Sequence, residues 1–461
     1  MMLDRLIALP ERRPGGLIAA IGLAFCLAYG ASLVWLPKPS GRIVVGDAVH
    51  LYVYLRSVVF DGDVSFQNEY ARLYNVQPTS GSGFEWVFTP LPTGHVRNLM
   101  PIGPAIVWAP LYLLVTLVVA ALRLVGVDYP LDGYGRVFQA TAGFTGIAAA
   151  TGGVYLAYRA AARLFSVRCA IWSTLAMWFG SSALYYSVIS PTYSHAPSML
   201  ATGLLVWHWL RTRNRADLAR YAQLGGLAGF AALVRWQDAT WLLVPALEAV
   251  MDAAGAQGPA FRRAGRAAVR IAVAAGAATL VFTPQMAAWN AIYGSPLVLP
   301  QGEGFMRWGE PALAAVLLSD WHGLFTWTPV VAVAVAGIAG LWRRDRSAGV
   351  AAVAVLISAW YVNAAVADWW AGEAFGSRRF LSCFPFFVLG LCAVVARWER
   401  RPRLIAGLVV LAVALNVLLL FQYQVFMKGW RDLSPYPRGW YGLGLARFWV
   451  PLRVLARWFG L

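Results

Sequence analysis

PIGPAIVWAPLYLLVTLVVAALRLV, Pro101–Val125, is the stretch on which the topology of this chain turns. It is apolar and long enough to cross a bilayer, which takes about 20 residues. Two prolines open it, however, and a third, Pro110, lies inside it. Arginine clusters recur at the ends of later apolar runs: Arg159/Arg163/Arg168, Arg211/Arg213/Arg215/Arg220, Arg262/Arg263/Arg266/Arg270, Arg343/Arg344/Arg346 and Arg397/Arg400/Arg401/Arg403. If Pro101–Val125 crosses, Arg159–Arg168 and every later cluster fall on the face opposite Arg5, Arg12 and Arg13, against the bias that places loop arginines on the cytoplasmic side. The stretch is therefore expected to be a juxtamembrane or re-entrant helix pair that continues the polar loop before it.

The 461 residues are 59% hydrophobic and only 13% charged, with a mean hydropathy of +0.59. Average chains carry about 25% charge, so the composition places this one in a bilayer, as one all-α polytopic domain over residues 1–461. The expected spans are Gly16–Leu36, Val137–Tyr158, Ala170–Ser187, Ala196–Leu210, Tyr221–Leu233, Thr240–Val250, Ala267–Trp289, Gly323–Leu341, Gly349–Ala367, Phe380–Ala396 and Leu404–Phe426. That makes about eleven crossings, N-terminus cytoplasmic and C-terminus outside. The first span reads as an uncleaved anchor. The net charge of +17 sits in loop clusters, with no basic tail or stacking module, which excludes a nucleic-acid partner. Cys26, Cys169, Cys383 and Cys392 lie in or beside apolar runs without CxxC spacing and read as packing residues. Residues 438–461 read as an interfacial amphipathic helix, Arg447, Arg453 and Arg457 alternating with Trp and Leu.

This topology gathers the polar chemistry on the outer face. The first external loop, residues 37–135, carries Asp47, Asp61, Asp63, Glu69 and Glu85 before Arg97. In a helix, Asp47, His50 and Tyr54 share one face, with Arg56 just beyond. A partly desolvated carboxylate there suits proton abstraction from a hydroxyl, although Asp47 could equally cap the helix it precedes. Glu69 is the second carboxylate of interest. Asp61-Gly62-Asp63 reads first as a turn, while paired carboxylates of this kind can also hold a divalent cation.

Three further stretches join that loop. SPTYSHAPSM places His195 at a span boundary, as a helix-start residue or a ligand contact. VRWQD holds Arg235 and Asp238, either as an ion pair or with Arg235 directed at a phosphate. ADWWAGEAFGSRRFL supplies Trp369, Trp370, Glu373, Arg378 and Arg379. Arginines on the outer face need a reason, and forked hydrogen bonding to phosphate is one. The tandem tryptophans suit an aromatic belt or a platform beneath a sugar or lipid. Residues 290–322, with Glu303, Arg307, Asp320 and His322, form a candidate lid. P-loop, GxGxxG, GxSxG, HExxH and zinc spacings are all missing from the sequence.

Gly46-Asp47 with His50 and Tyr52, then FDGDVSFQNEY, MPIGPAIVWAP, SPTYSHAPSM and WWAGEAFGSRRFL, resemble in their order the bacterial GT-C glycosyltransferases. These are polytopic enzymes related to the protein O-mannosyltransferases and to the transferase that adds aminoarabinose to lipid A. The resemblance covers roughly residues 16–427. It implies a GT-C-like bundle in the bacterial inner membrane, with the active site on the periplasmic face. It also implies a polyprenyl-phosphate-linked sugar as donor, and a lipid, polysaccharide or protein hydroxyl as acceptor. The first-loop acid that serves such enzymes as general base falls on Asp47. Where relatives carry a second acid beside it this chain has Ala48, and where they place an acid in the second outer loop it has His195. Those departures favour metal-independent transfer or His-assisted binding. The rival expectation is a transporter or lipid-linked sugar flippase, whose marks are internal symmetry, broken spans and intramembrane charges; only Arg235–Asp238 resembles these.

Overall fold

The computed structural model describes residues 9–35, 41–74 and 85–460. Helices dominate. Among the described residues the only β pairings are two isolated bridges, Pro90–Val96 and Met306–Val366. The main helices are α1 (Pro14–Trp35), α2 (Asp47–Arg56), α3 (Gln67–Tyr74), α4 (Gly103–Leu124), α5 (Arg136–Ala161), α6 (Val167–Phe179), α7 (His195–Thr212) and α8 (Leu218–Val234). They continue as α9 (Leu243–Gly255), α10 (Ala260–Tyr293), α11 (Leu313–Leu318), α12 (Pro329–Arg344), α13 (Arg346–Ala365), α14 (Phe384–Val395), α15 (Pro402–Met427) and α16 (Ala446–Trp458). Six helical stretches among the described residues are long and apolar enough to cross a membrane: α1, α4, α10, α13, Arg378–Trp398 and α15. This is a helical membrane protein.

Five of the eleven expected spans are among these six, and α4 is the sixth. Several expected spans are not single helices. Ala170–Ser187 breaks after Phe179 and resumes as a π-helical turn over Tyr185–Ile189, and Gly323–Leu341 is split at Thr328 ahead of Pro329. Others, such as α8 with 17 residues, are short. Apolar runs in the sequence do not reveal such breaks.

Close helix contacts are made through small residues. A Cβ on Gly153 of α5 would lie 2.6 Å from the Met199 backbone of α7, and one on Gly229 of α8 would lie 2.5 Å from the Ala278 carbonyl of α10. Because Gly146 abuts Pro191 and Gly153 abuts Met199, α5 and α7 run side by side in the same direction. The helix α8 returns, so that Arg235 at its end meets His195 at the start of α7.

The opposite end of the bundle is basic. Arg168 pairs with Glu11 at 2.7 Å and donates to the Glu399 carbonyl, Arg344 reaches the Leu164 carbonyl, and Arg213 pairs with Asp345. Arginine clusters from four separate loops are thereby brought to one end together with the start of the chain.

Pro101–Val125 is one continuous helix through Pro110, not a helix pair. Its placement is nonetheless informative. Gly103 packs on Leu233 and Val234, the end of α8, while Tyr112 meets Gly133 and Phe138 at the start of α5. Only five residues beyond Leu124, the Tyr129 hydroxyl accepts from the Val137 amide. The start and middle of α4, and Tyr129 beyond its end, are tied to the end of the bundle remote from the arginine clusters. Residues 290–322 begin as the last turn of α10, then pass as a loop that packs Met306 against Val366. At the C-terminus a π-helical turn over Trp440–Leu445 leads into α16, whose Phe448, Trp449, Leu452 and Leu455 are exposed.

Gly153→Ala forces a methyl group into the Met199 backbone. It should destabilise the protein by roughly 1–3 kcal/mol, the usual cost of overpacking, seen as a lowered Tm in detergent; an unchanged Tm would mean that α5 and α7 are not in close contact.

Candidate functional site

Glycine at position 46 starts the site. It has φ 57° and occupies the N-cap position of α2, and a Cβ there would lie 3.0 Å from the Tyr193 hydroxyl. No side chain caps the helix. Asp47 is therefore not the cap; it is the first helical residue, where the helix dipole favours a negative charge. Its carboxylate points instead to Arg378, whose Nη2 donates at 2.8 Å.

Around that pair lies a cavity of roughly 270 Å³. Six separate chain segments wall it, one of them Leu99, Met100 and Pro101 ahead of α4. The segment at the head of α7 contributes Tyr193 and His195, and the break after α8 contributes Arg235 and Gln237. The long loop after α10 adds Gln301 and Phe305, and the segment before α14 adds Asp368, Ala371, Arg378 and Arg379. Asp47 and Leu51, one turn apart on α2, complete the lining.

The charges are arranged in layers. Arg379 holds Asp368 at two points, donating at 2.8 Å to the carbonyl and at 2.8 Å to Oδ1. The Arg378 guanidinium also lies 5.3 Å from the centre of the Tyr193 ring. Arg235, almost fully buried, donates from Nη1 to His195 Nδ1 at 2.7 Å. Because guanidinium only donates, His195 Nδ1 is the acceptor, so the ring is neutral with its proton on Nε2. Asp238 accepts from Ser198 Oγ at 2.6 Å, and among the described residues it forms no ion pair with Arg235. The expected Arg235–Asp238 pair is replaced by two separate contacts. Among the residues that line the cavity, three guanidiniums face two carboxylates, a formal excess of one positive charge. Arg235 makes no salt bridge with a described carboxylate, and the buried Asp238, which does not line the cavity, acts on it electrostatically without touching it.

The structure thus brings together Asp47, His195, Arg235, Arg378 and Arg379. Other predicted site residues lie elsewhere. Tyr54 is two turns from Asp47, about 10 Å along the helix, and packs edge-on against Phe66. His50 is buried among Tyr70, Tyr74 and Trp86, donating from Nδ1 to the Tyr70 hydroxyl, which itself donates to the Arg97 carbonyl. Burial pushes His50 down to about 4, so it is neutral at pH 7. A shared face did not become a shared cavity because α2 is buried on nearly every side.

Arg56 and Glu69 form their own cluster. Arg56 bonds Glu69 at 2.8 Å, Asp61, and the Asp132 carbonyl, and lies over the Tyr134 ring. Glu69 is fully buried, and burial raises its pKa to about 7 although Arg56 opposes the shift. Asp63 Oδ1 accepts from Ser65 N and Ser57 Oγ beside Gly62 at φ 73°, which is turn chemistry. Trp370 stacks on Trp321 at 5.1 Å and meets Trp369 edge-on, bracing the loop that carries Asp368 and Ala371 rather than lining the cavity. Glu373 is exposed, and only its carbonyl is engaged, by Tyr423. No group of three metal-ligating side chains occurs among the described residues.

Sequence reasoning missed Ala371, and it placed His322 in the candidate lid without seeing what that residue ties together. Among the described residues these two are the non-glycine residues with positive φ, at 59° and 65° respectively. His322 Nδ1 donates to the Trp370 carbonyl and Nε2 accepts from Tyr436, tying the C-terminal segment to the cavity loop. Backbone conformation of this kind leaves no trace in a single sequence. Leu51, Gln301 and Phe305 carry no chemical signature and were equally hidden.

Fold and site together define a helical membrane protein with a charged cavity at one end of its bundle. No protein-family model matches the chain, and no curated protein matches it.

The Glu69 shift carries a sign. A folded pKa near 7 lies above the ordinary value of 4.5, so its stabilising contribution is complete below about 4.5 and is lost as pH rises through 7. Glu69→Gln should remove that dependence: its Tm relative to the unmodified protein should rise between pH 5 and 8. A parallel pH profile for the two proteins would contradict the placement of Glu69.

Proposed function

We propose that this protein is an inverting glycosyltransferase that moves a sugar from a polyprenyl-phosphate carrier to an acceptor hydroxyl, with Asp47 as general base. The observation that carries the reading is the cavity itself: one carboxylate at a helix start, 40% exposed, faces a lining with a formal excess of one positive charge. A glycosyl phosphodiester carries one negative charge, so the two balance.

The acceptor oxygen attacks the anomeric carbon while the bond from that carbon to the phosphate oxygen breaks. The hydroxyl proton passes to Asp47, and the bonding electrons leave with the lipid phosphate. Charge growing on a leaving phosphate is where fixed cations help most, and the sugar between base and phosphate acquires oxocarbenium character. Arg235 is the first phosphate contact, since Arg378 and Arg379 begin the reaction already paired. Movement of Arg378 from Asp47 to the phosphate then strengthens Asp47 as a base. Arg56, Glu69, His50 and Tyr54 hold the loop and take no part in the transfer.

The sequence resemblance to GT-C glycosyltransferases supports the same reading, since the stretches that carry it supply Asp47, His195, Arg378 and Arg379 to the cavity. The arginine-rich end faces the cytoplasm by the positive-inside bias, which puts the cavity on the periplasmic side of a bacterial inner membrane. With α4 lying along the membrane surface and the shorter helices also crossing, the chain makes about eleven passages.

In proteoliposomes supplied with a polyprenyl-phosphate sugar, Asp47→Asn should lower turnover by about 10²–10⁴-fold, the usual range for a positioned base, while donor binding persists. Undiminished turnover would remove Asp47 from the chemistry. Mass spectrometry of envelope glycans and lipids from a deletion strain should show one sugar lost. Accumulated intact carrier would instead identify a flippase.

A further inference from the structure

A second concavity lies away from the charged cavity. It is a groove of roughly 400 Å³ bounded by α6, α12, α14 and α15. Its walls are almost wholly apolar, among them Val333, Leu391, Leu408 and Leu411, and three of those four are exposed. In a membrane protein, exposed apolar walls face lipid. Two polar side chains interrupt the groove, Asn416 of α15 and Arg447 at the start of α16.

Both are incompletely satisfied. Asn416 Nδ2 donates to the Phe179 and Ser181 carbonyls at 2.8 and 3.0 Å, which fixes the amide and leaves Oδ1 buried without a donor among the described residues. Arg447 donates from Nη1 to the Leu415 carbonyl at 3.1 Å and from Nη2 to the Leu443 carbonyl, and its buried Nε finds no acceptor. Both of those carbonyls lie within helical turns. Arg447 makes no ion pair with any described carboxylate. A cation and two orphaned polar atoms in apolar surroundings are costly unless something answers them.

We propose that this groove binds an anionic bilayer phospholipid. One acyl chain lies along the groove, and the anionic headgroup lies against the Arg447 guanidinium. The dimensions suit a bilayer lipid. Ile405 and Asn416, which both line the groove, are about 16 Å apart along α15, close to half of the roughly 30 Å hydrocarbon core. Asn416 also lies about 9 Å inside Gln422, the first polar residue toward the end of α15. That is the depth at which interfacial helices such as α16 rest. The inference is independent of the proposed reaction, because no residue of the groove lines the charged cavity.

The full chain, delipidated in detergent and supplied with phosphatidylglycerol or phosphatidylcholine, tests it by native mass spectrometry and Tm. Phosphatidylglycerol should be retained at least tenfold better and raise Tm by several degrees, as a ligand of the folded state does. Arg447→Gln should cut that retention about tenfold. Leu408→Trp, which fills the groove from a lipid-exposed position, should do the same without relying on the arginine. Asp47→Asn should leave it unchanged, which separates this site from the reaction. Equal retention of the two lipids, or full retention in Leu408→Trp, would overturn the proposal.

Discussion

The ion pair between Asp47 and Arg378 joins residues 331 positions apart and closes the charged cavity across the bundle. Asp47 keeps 40% of its side chain exposed, so the desolvation cost falls mainly on Arg378, 14% exposed, and geometry and further hydrogen bonds must offset it. Here the compensation is local: Asp47 sits at a helix start, and Arg378 is also received by the Ala371 carbonyl and the Tyr193 ring. The other charges of the cavity are held by partners of their own. Arg379 is held by Asp368, Arg235 leans on a neutral His195, and the loop carrying these groups keeps Ala371 at positive φ.

The molecule is polarised end to end. One end gathers arginines from four loops with Glu11, and the other gathers the carboxylates, tyrosines and histidines that surround the cavity. Between them the helices approach closely through Gly153, Gly229 and similar small residues. With little hydrophobic force between helices in lipid, such packing carries the association. The charged cavity and the apolar groove then occupy different environments within one bundle, which is why their chemistry differs so sharply.

Much of this was legible before the structure. Arginine spacing grouped the loops by face, and Arg168, Arg213 and Arg344 do meet at one end. The same reasoning set Asp47, His195, Arg235, Arg378 and Arg379 on the other, where they line one cavity. What failed did so for identifiable reasons. Helical periodicity grouped His50 and Tyr54 with Asp47, but α2 is buried on nearly every side and its second and third turns meet other partners. Glu69 was singled out as an unexplained acid; its explanation is the buried guanidinium of Arg56. Trp369 and Trp370 brace a loop through Trp321, a contact 49 positions away that no pattern announces. Helix breaks after Phe179 and at Thr328, short helices such as α8 and the modest apolarity of others leave five of the eleven expected spans among the six long apolar helices; the sixth is α4, which Pro110 does not break.

The central claim is that the charged cavity receives a lipid-linked phosphate, with Arg235 as the cation that first meets it. A cryo-EM map of the full chain with a non-hydrolysable polyprenyl phosphonate sugar tests this most directly. Phosphorus density should lie within hydrogen-bonding distance of Arg235, with the sugar facing Asp47. Density for the headgroup outside this cavity, with Arg235 still bound only to His195, would contradict it.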